Sequence, residues 1–80
     1  MDRNMIITIG NNQKFAIADS VEYSGEKYYY IIEVDSEKEE LKSDCRIIRV
    51  INDNNYARVQ MVTDKESLSK IIPLFASHYL

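Results

Sequence analysis

Apolar residues recur along this chain in two rhythms. Up to about residue 62 they come at every second position in short runs separated by polar turns, the period of strands, and from residue 68 onward at three- and four-residue spacing, the period of a helix. The densest run, Lys27-Tyr28-Tyr29-Tyr30-Ile31-Ile32-Glu33-Val34-Asp35, is rich in aromatic and β-branched side chains and predicts a strand in the middle of a sheet. Ser24-Gly25-Glu26 before it predicts a tight turn, so the preceding strand, residues 14–23, is its antiparallel neighbour. There Phe15, Ile17, Val21 and Tyr23 alternate with Ala16, Ala18, Ser20 and Glu22. An even-length loop sets the first group opposite Tyr28, Tyr30, Ile32 and Val34, so that the two apolar faces coincide. Asp19 interrupts that face and marks a bend or the edge of the core.

Met5-Ile6-Ile7-Thr8-Ile9 predicts a first strand, closed by the turn Gly10-Asn11-Asn12-Gln13, with apolar residues on both faces. After the central strand comes a charged connection, residues 36–43. Residues 44–51 and 56–62 predict a hairpin around Asn52-Asp53-Asn54-Asn55. A symmetric loop pairs Ile48 with Val59 and Val50 with Ala57 on the core face, and Ile51 with Tyr56 and Arg49 with Arg58 on the other. Thr63 and Glu66 form a capping-box pattern, and Leu68, Ile71, Ile72, Phe75 and Tyr79 follow at helical spacing. Pro73 inside that pattern predicts a kink or a break. The expected fold is α+β: about five mainly antiparallel strands with one C-terminal helix, kinked or broken near Pro73, packed on one face, as a single domain over residues 1–80. Its expected core is Phe15, Ile17, Val21, Tyr30, Ile32, Ile48, Val50, Val59, Leu68, Ile71 and Phe75.

Phe15, Asp19, Val21, Tyr23, Gly25 and Tyr28-Tyr29, then Ile47-Ile48-Arg49-Val50, then Val62-Thr63-Asp64-Lys65-Glu66-Ser67-Leu68, stand in an order that resembles the small YrzB-like domain of unknown function from low-GC Gram-positive bacteria. The resemblance spans about residues 5–75. It implies a compact α+β domain and brings no catalytic residues with it. The chain departs from that family in its milder acidity and in Pro73.

Composition adds exclusions. Ten basic and thirteen acidic residues give a net charge of −3, which argues against a protein whose main work is gripping a nucleic-acid backbone. Cys45 is the single cysteine, so no internal disulfide forms, and without a recognisable signal peptide the expected location is the cytoplasm. Cys45 itself reads as a half-buried strand residue. No apolar run has the length of a membrane span. His78 reads as an exposed residue near the chain end, with no partner in the sequence. The residues supply no catalytic constellation, no cofactor motif and no metal-ligand spacing.

The expected function is therefore non-catalytic: a small cytosolic interaction or adaptor protein that works through a sheet face or a strand edge, with another protein or a second copy as partner. The face away from the helix is expected to carry Tyr29, Ile31, Ile47, Ile51 and Tyr56, more apolar than a solvated face needs. With Arg49 opposite Arg58, and Glu33 or an acidic partner group compensating them, the candidate partner-binding residues are Tyr29, Ile31, Arg49, Ile51, Tyr56 and Arg58. A phage- or mobile-element-encoded inhibitor of a host enzyme or defence complex is an alternative. So is single-stranded nucleic-acid binding through tyrosines and arginines on neighbouring strands.

Overall fold

A computed structural model describes residues 5–35, 37–38, 40–53 and 56–79. They form strands β1 (Ile6–Ile9), β2 (Gln13–Tyr23), β3 (Glu26–Asp35), β4 (Glu40–Asp53) and β5 (Tyr56–Met61), then helix α1 (Lys65–Ala76), which tightens into a 3-10 turn, Ser77–Tyr79. All strand pairs are antiparallel, and the sheet order follows the chain, β1-β2-β3-β4-β5. The expected α+β architecture is the observed one, with the sheet curled.

The hairpin between β2 and β3 turns on Ser24 and Gly25, at φ 53° and 79°, with Tyr23 across from Glu26. Two successive positive φ values give the turn whose twist matches the flanking strands. From there the register sets Val21 opposite Tyr28 and Asp19 opposite Tyr30, on the side of the sheet that α1 covers. Ala18 then bulges out of the ladder, and Ile17 faces Ile31 and Phe15 faces Glu33. A one-residue bulge exchanges the faces of everything beyond it. Phe15 and Ile17 consequently leave the helix side, where the alternation had put them.

Curling encloses that opposite side. Phe15, Ile17, Tyr29, Ile31 and Ile48 form a buried cluster on it, flanked by Ile7, Ile9, Val50 and Met61. A second cluster, Tyr28, Ile47, Val62, Ile71 and Phe75, lies under the helix, with Val21, Tyr30, Leu68 and Leu74 beside it. The core is therefore two-sided. Val59, expected inside, is 47% exposed, while Tyr28, Tyr29, Ile31, Ile47 and Val62 are buried in its stead.

The other corrections have local causes. β4 begins at Glu40, so the second half of the expected connection is strand, with Leu41 across from Val34 and Glu40 across from Asp35. At the far end β4 and β5 continue to Asp53 and Tyr56, which shifts the hairpin by two residues: Val50 pairs with Val59, Arg49 with Gln60 and Ile51 with Arg58. Residues 54 and 55 of the expected loop lie outside the described residues. Asp64, not Thr63, caps α1: its carboxylate accepts from the Ser67 N–H at 2.9 Å. The Val62 N–H is still held by the Ile47 carbonyl at 2.9 Å, so the extended chain ends one residue later than the capping box requires. The helix runs through Pro73 without a break, with the exposed ring on its solvent side, and changes winding only at Ser77.

Candidate interaction groove and strand edge

The six residues singled out from the sequence divide between the two sides of the sheet. Tyr29 and Ile31, at 4% and 0% exposure, belong to the enclosed cluster and present no surface. Arg49 pairs with Tyr28 and Gln60, which puts it on the helix side together with Ile51, Tyr56 and Arg58. Its guanidinium donates to the Gln60 side-chain carbonyl, and its Nε lies 3.4 Å from Glu26 Oε2. Glu33, expected between the two arginines, meets Lys42 at 3.6 Å on the other side. The like-charge pair of Arg49 and Arg58 does not form. Tyrosines 28 and 29 are both buried, Tyr28 directly across from Arg49.

A different surface emerges from strand lengths. β4 has 14 residues, but β5 pairs only with Ile48 to Asp53 before the chain leaves the sheet at Val62 and enters α1. Among the described residues, no strand lies along the outer edge of residues 40–46. The Ile47 carbonyl accepts from Val62, so the main-chain groups of Ile47 point outward, and the outer edge of β4 continues from there past the register shift that lies between Cys45 and Leu41. Such an edge is a template for another strand.

α1, 12 residues and so about 18 Å long, packs most closely over β2. Between the helix and the open part of β4 runs a groove of about 520 Å³, whose lining includes Tyr30, Cys45, Arg46, Ile47, Leu68 and Ile72. A smaller cavity of about 280 Å³ shares Tyr30 and Ile72 with it and extends to Phe75 and Asp19. Tyr30 is fixed in place by Phe75, ring centroids 5.9 Å apart and tilted by 54°. Ile72 is 51% exposed and Leu41, on the same side of the sheet, 63%. Cys45 is exposed rather than half-buried.

Charges fringe the edge on the opposite side. Arg46 Nη2 donates to Asp44 Oδ2 at 3.0 Å, and this hydrogen bond and the nearby carboxylate hold the guanidinium pKa above its ordinary value. At the far end of the groove, buried Asp19 meets His78, a partner the sequence did not disclose. Leu41 carries a sequence signal of its own: it is a large apolar residue between Glu40 and Lys42, with no place in the alternation that defines the core.

The chain matches no family model, no curated protein and no solved structure. No helix among the described residues is long and apolar enough to cross a membrane, and the described residues contain no cluster of metal-ligating side chains.

Proposed function

We propose that the protein is a small non-catalytic interaction module that binds an extended segment of a protein along the outer edge of β4. The observation that carries this reading is the unmatched length of β4 beside an apolar groove. An added strand satisfies outward main-chain groups at residues 40–46, and its alternate side chains enter the space lined by Cys45, Ile47, Leu68 and Ile72. Main-chain hydrogen bonds then supply affinity, and the groove supplies selectivity.

The test is affinity capture from the native cytoplasm, comparing the wild-type chain with Ile72→Arg. Ile72 is half exposed, so the charge obstructs the groove without entering the core. Loss of a stoichiometric protein with an unchanged melting curve supports the reading. Equal recovery by both chains rejects the groove.

A further inference from the structure

The open edge of β4 reads, in order, Glu40, Leu41, Lys42, Ser43, Asp44, Cys45, Arg46. We propose, resting on the reading of this edge as a binding site, that the strand it accepts is the same edge of a second copy of this chain, antiparallel and related by a two-fold axis through Ser43.

The first argument is charge. With Ser43 on the axis, Glu40 stands opposite the partner's Arg46, and Lys42 opposite the partner's Asp44. Symmetry repeats each pair, as it does in any isologous contact. Every charged residue of the edge then faces the opposite sign. Moving the axis one residue either way destroys this: centred on Lys42, Glu40 faces the partner's Asp44, and centred on Asp44, Lys42 faces the partner's Arg46. Opposite charges directly across a strand pair are favourable and like charges unfavourable, so one register is selected.

The second argument is sidedness. Lys42 lies 3.6 Å from Glu33, and Asp44 is paired with Arg46, which places these charges together on the side away from the helix. Leu41 and Cys45, across from Val34 and Ile32, share the helix side despite the irregularity between them. In the Ser43-centred register, the partner's Leu41 stands opposite Cys45 and enters the end of the groove beside Ile72. The most exposed leucine among the described residues thereby covers an open groove, twice in the dimer.

A pair of complementary charge reversals tests the proposal. Lys42→Glu and Asp44→Lys are exposed changes, and circular dichroism melting checks that each chain folds. Wild-type protein is expected to run as a dimer by light scattering at high micromolar concentration. Each variant alone faces like charge at both symmetric positions, with dimerisation weakened roughly tenfold or more. Mixing the two variants restores opposite charge everywhere, and the dimer with it. A monomeric wild type, a dimer indifferent to either reversal, or a mixture no stronger than its components overturns the proposal. Leu41→Gln, which leaves the charges intact, is expected to weaken the dimer too, and an unaffected dimer would place the interface elsewhere. The two readings fail separately. A monomeric wild type that still captures a different protein, and loses it with Ile72→Arg, removes the second copy and keeps the groove. Failure of both experiments removes the edge altogether.

Discussion

His78 Nδ1 lies 2.7 Å from Asp19 Oδ2, joining the last turn of the chain to the bulge in β2. Asp19 is 5% exposed, and its other oxygen accepts from the Ser20 N–H at 2.8 Å. A carboxylate buried to this degree needs such partners, and the bulge at Ala18 turns it toward the helix end that supplies one. This contact fixes the C-terminal end of α1 over β2.

A double-mutant cycle measures that tie. His78→Ala and Asp19→Ala, alone and together, are expected to show a coupling of about 1 kcal/mol in urea unfolding, modest because the imidazole is partly exposed. Additive effects would mean that the contact does not hold the helix end.

The two-sided core makes a prediction that a single helix-covered face does not. Phe15→Ala, on the enclosed side, and Phe75→Ala, under the helix, should each cost about 3–5 kcal/mol, a large share of the stability of a domain this small. Denaturant titration of both variants decides it. A mild effect of Phe15→Ala would show that the sheet does not curl over that side.

Capping supplies a local test with a pH dependence. Hydrogen bonding to Ser67, through its side chain and its main-chain N–H, holds the Asp64 carboxyl below its ordinary pKa. A group whose folded pKa is depressed contributes stability above its unfolded pKa and loses it as the pH falls through the folded value. Asp64→Ala is therefore expected to lower Tm by roughly 5 °C at neutral pH, and by progressively less below about pH 4. Thr63→Ala should change Tm little at any pH. The reverse ranking would move the start of the helix back by one residue.

Strand positions, the turn at Ser24-Gly25 and the helix were legible because each rests on local spacing or local chemistry. Facing was legible only as far as a tight turn carried it. Val21 and Tyr28 share the helix side as alternation requires, and Ile48 and Val50 share a side with Val59 even though the pairing slid by two residues, since a slip of two preserves sidedness. Two places carried no such signal. The bulge at Ala18 is an added residue in an otherwise regular alternation, and the irregular β3–β4 connection sets Tyr29 against Ile48 where simple alternation had grouped Tyr30 with it. One residue of slip there moves Ile47 beneath the helix and Ile48 to the enclosed side. The expected face divides for a related reason: alternation puts Tyr29 and Arg49 on a common face, and the register separates them. The β4 edge depends on how far β5 runs beside it, which is a property of the assembled sheet.

Residue-resolved amide hydrogen exchange tests the central claim, that the outer edge of β4 is a binding edge, most directly. N–H groups along the outer edge of β4, residues 40–46, should exchange rapidly in dilute protein and become protected when the partner strand is present, whether that strand is supplied by raising the protein concentration or by adding a captured partner. Amides of α1, already bonded within the helix, should change little. Protection that leaves residues 40–46 untouched, or that appears along β1 or β5 instead, would contradict the account.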